Sequence, residues 1–244
     1  MVINLRDNGS PVSGTANLTP VIPASQLTGD MMLCLYGTKP YSDAPTINQG
    51  WISLGSATNG TVAAGNDVGS MQTRVFYKIA TSDTETNPII TNTTNNVSTA
   101  VIIVFQKTAG DTWATLVGAG GGDATAGTGF SVTVSSDVGH TAGDMVVGVA
   151  SFRSDAALPS TDRLITITGC TMGTYNVGTV TTTTSGGNMA LCSGYISVNS
   201  GTSSAAPIYS MLLYAAHTGS AYLVRLRVST TPTGGFMATN KGRW

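Results

Sequence analysis

The chain has 244 residues, 41% hydrophobic and only 9% charged, against a usual charged share of roughly 25%. Its formal net charge of −1 excludes a disordered chain, which needs low hydrophobicity with high net charge. A chain of this length buries roughly 70–75% of its unfolded surface, so it needs neither disulfides nor a metal to hold a core.

Taken in chain order, Met1–Gln26 reads as a polar N-terminal arm punctuated by Pro11, Pro20 and Pro23. It has no basic stretch followed by an apolar one, so no export signal is expected and synthesis in a cytoplasm is implied. Strands are then predicted at Met31–Gly37, Trp51–Leu54, Arg74–Ala80, Pro88–Asn92, Thr99–Lys107 and Thr112–Val117. The glycine-rich Gly118–Gly127 reads as a flexible surface loop. Further strands are predicted at Phe130–Ser135, Met145–Phe152, Leu164–Thr168, Val177–Thr184, Met189–Val198, Tyr209–Thr218 and Tyr222–Ser229. Thr231–Trp244 closes the chain as a glycine-containing tail.

These elements sum to an all-β chain. Its 38 threonines suit pleated, half-buried strands, Glu occurs once, at Glu85, and no stretch sustains a helical repeat of apolar residues. The expected fold is a single antiparallel β-sandwich, jelly-roll-like, of roughly 12–14 strands. It would cover residues 27–230, flanked by the arm 1–26 and the tail 231–244. The longest apolar run, Ala100–Phe105, is far too short to cross a membrane. One internal echo stands out: Thr28-Gly29-Asp30-Met31 and Ala142-Gly143-Asp144-Met145 each place a Gly-Asp turn before an apolar strand. Equivalent strands of two sheets account for it without a duplication.

A set of packing residues carries a family resemblance. Gly29-Asp30 with its apolar strand is followed by Pro45, Gly50-Trp51, Leu54-Gly55, Val75-Phe76-Tyr77-Lys78-Ile79-Ala80-Thr81, Pro88-Ile89-Ile90-Thr91 and a strand ending Val104-Phe105-Gln106. This order resembles β-sandwich proteins of tailed-bacteriophage virions, of the minor tail or tail-fibre-associated type. The resemblance is clearest over Leu27–Lys107 and weaker over Gly143–Ser229. It departs where relatives often end that strand in an aromatic-Arg-Gly. It implies a virion structural protein, made in the host cytoplasm, whose partners are other virion proteins and copies of itself.

Catalytic signals are sparse. Neither His140, in the turn Val138–Gly143, nor His217 has a second histidine or a carboxylate at ligand spacing. No Gly-x-Ser-x-Gly elbow occurs. The carboxylates, among them Asp30, Asp43, Asp67, Asp83, Glu85, Asp111, Asp123, Asp137, Asp144, Asp155 and Asp162, are spread through turns, where Asp hydrogen-bonds its own backbone. They show neither a glycosidase pairing nor a calcium-loop repeat. Cys34, Cys170 and Cys192 lack metal or disulfide spacing, and Gly118–Gly129 lacks the Lys-Ser/Thr of a phosphate loop. No catalytic residue, cofactor or metal is therefore expected. Eleven Lys and Arg against twelve Asp and Glu leave no footprint for nucleic acid.

The near-neutral, Thr/Ser/Asn/Gly-rich surface offers little colloidal repulsion and favours association. The terminal segments are the expected assembly contacts, through Leu5, Val21, Ile22, Phe236 and Trp244, the terminal Trp being costly to leave in water. The tail, baseplate or fibre is the first expectation for location, with head decoration as the alternative. A carbohydrate-binding or glycan-cleaving tail module acting on a host-surface glycan is the other class, for which Tyr36, Tyr41, Trp51 and Trp113 would supply stacking faces, although Trp51, just before the apolar Ile52-Ser53-Leu54, reads better as core.

Overall fold

The computed structural model describes residues 2–39, 44–62, 69–92, 97–153, 163–183 and 189–230. Among them every regular element is a strand and every pairing is antiparallel.

In chain order the first half contributes β1 (Ile3–Asn8), β2 (Val12–Gly14), β3 (Met31–Lys39), β4 (Thr46–Ile47), β5 (Ile52–Val62), β6 (Gly69–Ile79), β7 (Ile90–Thr91) and β8 (Val97–Lys107). The second contributes β9 (Asp111–Trp113), β10 (Val117–Thr133), β11 (Met145–Arg153), β12 (Arg163–Thr166), β13 (Cys170–Met172), β14 (Asn176–Thr183), β15 (Met189–Gly201), β16 (Ile208–Leu226) and β17 (Val228–Thr230). One sheet runs β1-β8-β3-β6-β5, with β2 also on β8. The other runs β10-β16-β11-β15-β13, with β14 on β15 and β12 on β16. The fold is thus an all-β antiparallel sandwich, whose sheets are wound separately, each from one half of the chain, rather than interlaced as in a jelly roll.

Both sheets bury both faces. Between them lies a core of Met31, Leu33, Leu35, Val101, Ile103 and Phe105 against Met145, Val147, Val149, Tyr222, Val224 and Leu226. On the outer face of the first sheet, Met32, Cys34, Tyr36, Phe76, Ile102 and Val104 pack under Leu18, Ile22, Trp51 and Ile90. The outer face of the second carries its own core, with Phe152, Ile165, Cys192, Tyr209 and Leu223. This is why β3 is buried along its whole length and reads as a continuous apolar run rather than an alternation.

Two expected segments change character. The supposed arm 1–26 is built into the sandwich: β1 and β2 pair with β8, and Leu18 exchanges backbone hydrogen bonds with Ile90 at 3.0 and 2.8 Å. The supposed loop Gly118–Gly127 is strand, part of β10, in register with β16 from Val117 to Asp123. Its glycines serve close approach to β5. A Cβ at Gly120 would stand 2.5 Å from the Ala57 Cβ, and one at Gly122 would stand 2.8 Å from the Thr58 carbonyl oxygen. The Asn59 amide donates to the Asp123 carbonyl across the same seam.

Five strands of each half correspond in position. Ordered by sequence, β1, β3, β5, β6 and β8 occupy the same places in the first sheet as β10, β11, β14, β15 and β16 in the second. The register agrees too: Met31 lies opposite Ile79 and Phe105, and Met145 opposite Ser197 and Leu226. The edge strands β5 and β14 even shift register at matching points, between Ser53 and Gly55 and between Val177 and Val180.

Candidate functional site

The densest polar chemistry sits where the chain enters the central strand of each sheet. Gly29 and Gly143 take φ of 88° and 89°, left-handed values that glycine adopts without steric cost. Each donates its N–H at 2.8 Å, Gly29 to Ala80 and Gly143 to Val198. The following aspartates cap their own turns: Asp30 Oδ2 accepts from Leu27 N–H and Asp144 Oδ2 from Thr141 N–H, both at 2.8 Å. Both carboxylates are nearly buried, and an arginine meets each.

The arginines come from different strands. Arg6 of β1 brings Nε to 2.5 Å from Asp30 Oδ2 and donates from Nη2 to Oδ1 at 3.2 Å. Arg227, between β16 and β17, donates from Nε to Asp144 Oδ1 and from Nη2 to Oδ2, both at 2.6 Å. Its Nη2 also reaches the Gly139 carbonyl and Thr141 Oγ1, each at 2.8 Å. The bond to Asp144 raises the Arg227 guanidinium above its ordinary pKa, the effect of a two-pronged charge-assisted contact. Arg225 donates to the carbonyls of Val138 and Gly139 at 2.6 and 2.8 Å, and burial lowers its pKa.

His140 lies at the centre of this second cluster, completely buried. Contrary to the expectation from spacing, a carboxylate does face it: Asp137 Oδ1 stands 3.5 Å from Nδ1. That separation is outside good hydrogen-bond length, and neither ring nitrogen has a hydrogen-bond partner. Burial lowers the His140 pKa, opposed by Asp137, so the imidazole is held neutral. Burial would raise the Asp137 carboxyl, but hydrogen bonds from Ser203 and the Gly139 N–H bring it below its usual value.

Asp137, His140 and Ser203 are the residue types of a nucleophilic triad, but their geometry is another one. Ser203 Oγ lies 2.7 Å from both Asp137 oxygens and accepts from the His140 backbone N–H at 2.8 Å. A triad needs the hydroxyl on the imidazole; here it bridges the loop to the carboxylate. The arrangement pins the 137–144 loop against the 203 turn.

The other candidates separate. Leu5 is partly buried against the inter-sheet core and Ile22 is buried in the outer core. Val21 is 49% exposed. Phe236 and Trp244 lie outside the described residues. Of the stacking candidates, Tyr36, Trp51 and Trp113 are buried core residues, and Tyr41 lies outside the described residues. Cys34 and Cys192 are buried and Cys170 is half-buried, none of the three in a disulfide, and burial pushes the Cys34 and Cys170 thiols up. The side chain of His217 and the carboxylates of Asp43, Asp67, Asp155 and Asp162 lie outside the described residues, and no three described His, Cys, Asp or Glu side chains converge as a metal site. No local spacing announces the partners of Arg6 and Arg227, which stand 24 and 83 residues away; Arg225 and Arg227, two apart on one strand face, read from sequence as solvated charges or rim contacts. No family model matches the chain, nor does any curated protein or solved structure.

Proposed function

We propose that this chain is a structural component of a tailed-phage virion that acts by protein–protein assembly, in the tail, baseplate or fibre apparatus. The observation that carries the proposal is where the resembling residues sit. Gly29-Asp30, Trp51, the strand Val75–Ile79, Ile90 and the strand ending Phe105 build the first sheet, its outer core and its entry turn. They are packing residues, and they define a rigid β-sandwich scaffold. A chain with only 9% charged residues and a net charge of −1 supports association for the reason given above. The burial of Tyr36, Trp51 and Trp113 removes three of the four rings that a glycan-stacking module would use.

The test is mass spectrometry of gradient-purified particles from an infected culture, beside an assay of the purified chain on host polysaccharide. The proposal expects the chain at fixed stoichiometry in the particles and intact polysaccharide. Absence from the particles would overturn it. Polysaccharide cleavage lost in an Asp137 or His140 variant of unchanged stability would overturn it too, in favour of an enzyme.

A further inference from the structure

The correspondence between the halves extends to the residue before each entry turn. Leu27 and Thr141 hold matching positions, each donating its backbone N–H at 2.8 Å to the aspartate three residues on, so Gln26 and His140 are equivalent. Both are buried. Gln26 is satisfied, because its side-chain amide donates to the Ser82 carbonyl at 2.6 Å. His140 is not, since neither ring nitrogen has a hydrogen-bond partner. The first sheet fills this position with a group that never titrates, and the second fills it with one that does.

The site offers a proton on the ring no acceptor. An imidazolium carries two N–H donors, and burying that charge unpaired is costly. Asp137 Oδ1 stands 3.5 Å from Nδ1, but both Asp137 oxygens accept from the Ser203 hydroxyl at 2.7 Å, and Oδ1 also accepts from the Gly139 N–H at 2.9 Å. The neighbouring carbonyls of Val138 and Gly139 are taken by the Arg225 guanidinium of β16. Arg227 holds Gly139 and the second carboxylate of the loop, Asp144. Cys170 of β13 completes the titratable groups packed around this loop among the described residues, its thiol pushed up by burial and by Asp137 and Asp144.

The loop can yield without breaking a sheet, since it lies between β10 and β11. Its ties to the 201–204 turn are few. The Ser203 hydroxyl bonds Asp137, the His140 N–H donates to Ser203 Oγ at 2.8 Å, the Ser203 N–H donates to the His140 carbonyl at 2.9 Å, and Thr141 bridges to Thr202. Gly139 and Gly143, with φ of 71° and 89°, stand on either side of this stretch, and glycine changes backbone conformation at little steric cost. Val138, on the same loop, packs against the outer core of the second sheet.

We propose that the 137–144 loop is an acid-released latch with the His140 ring as its trigger: on taking up a proton the ring leaves its buried place, the ties to the 201–204 turn break, and Val138 lifts from the outer core of the second sheet. Burial lowers the ring's pKa in the closed loop, so the open loop binds the proton more tightly. The closed form therefore loses ground as pH falls below the open-state value of about 6.5. This inference does not rest on the virion proposal.

The test is amide hydrogen exchange of the full chain at pH 7.5 and 5.0, with each rate compared with that of an unstructured peptide at the same pH. Protection of the His140 and Ser203 amides should fall by up to about thirtyfold, the limit for a ring that titrates near 6.5 when open and not at all when closed. The Gly29 amide, held by Ala80 in the first sheet, should keep its protection. His140→Gln, which copies the residue of the first sheet, should abolish the fall. A fall of less than about threefold would overturn the proposal, as would an equal fall at Gly29 or one that persists in His140→Gln. In the unmodified chain the His140 ring signal, told from that of His217 by His217→Gln, should titrate in step with the loss of protection. Titration of the ring with the amides still protected would overturn the proposal as well.

Discussion

The two sheets meet the same mechanical demand with different parts. Each needs its central strand anchored where the chain enters it, and each uses a left-handed glycine followed by a turn-capping aspartate held by an arginine. In the first sheet the arginine comes from β1, near the chain start. In the second it comes from just after β16 and is held by two further groups of the 139–144 loop, the Gly139 carbonyl and the Thr141 hydroxyl. The geometry that recurs is that of the carboxylate and glycine; the cation is whatever the neighbouring strand delivers. A buried carboxylate requires a partner, but it does not dictate which element supplies one.

The largest expected effect contrasts two matching positions of the inter-sheet core, Trp113 opposite Val228 and Ile3 opposite Lys107. Trp113→Ala should cost about 3–5 kcal/mol in chemical denaturation, as a buried aromatic truncation does. Ile3→Ala should cost about 2 kcal/mol, the low end for such a truncation, because Ile3 borders an open cleft. Equal costs would break the comparison.

Next come the anchors. Asp144→Ala strands Arg227 beside the 139–144 loop and removes the cap on Thr141; about 2–3 kcal/mol is expected, short of a fully buried pair because Arg227 is partly exposed. Asp30→Ala should cost less, about 1–2 kcal/mol, since Arg6 gives Asp30 one hydrogen bond, at 3.2 Å, where Arg227 gives Asp144 two at 2.6 Å. Measured unfolding free energies in the reverse order would show that the Arg6 pair is the stronger anchor.

His140 sharpens the contrast, because no matching histidine lies in the first cluster. Its pKa is lowered in the fold by burial, so the unfolded chain takes up the proton first. The stability it contributes is present above the unfolded pKa of about 6.5 and is lost as pH falls below it, by at most about 1.4 kcal/mol per pH unit. The thermal midpoint should therefore drop between pH 7.5 and 5.5, and His140→Phe should flatten that drop. An unchanged slope in the variant would sink the assignment.

The smallest effect belongs to the first sheet. Burial opposes ionisation of Glu85, but Lys78 at 2.6 Å and the Thr81 N–H and hydroxyl hold its carboxyl at about 2. A depressed carboxylate stabilises above its unfolded pKa, about 4.3, and loses that contribution as pH falls toward 2. Glu85→Gln should shift the midpoint slightly at pH 6 and hardly at all below pH 2. A shift that persists in acid would assign the effect to shape rather than charge.

Much of this architecture is legible in the sequence, and the failures have physical causes. Met31–Gly37 and Thr99–Lys107 are apolar enough to declare themselves as strands. Ile3–Asn8 is not: its polar residues and the nearby prolines look like a loose arm, and only pairing with β8 makes it a strand. Gly118–Gly127 reads as a loop because of the same glycines that let β10 lie against β5. The Gly-Asp echo was visible because turn chemistry is local. The arginines that complete it, and the contact between Asp137 and His140, depend on tertiary placement that residue spacing does not encode. Trp113 was read as an available ring, although its indole N–H is committed to Gly29.

The central claim, that this scaffold belongs to a virion, is tested most directly by a low-resolution image of particles carrying a label on this chain. The account expects the label on the tail apparatus of intact particles. Particles without label, from a culture in which the labelled chain is folded and abundant, would contradict it.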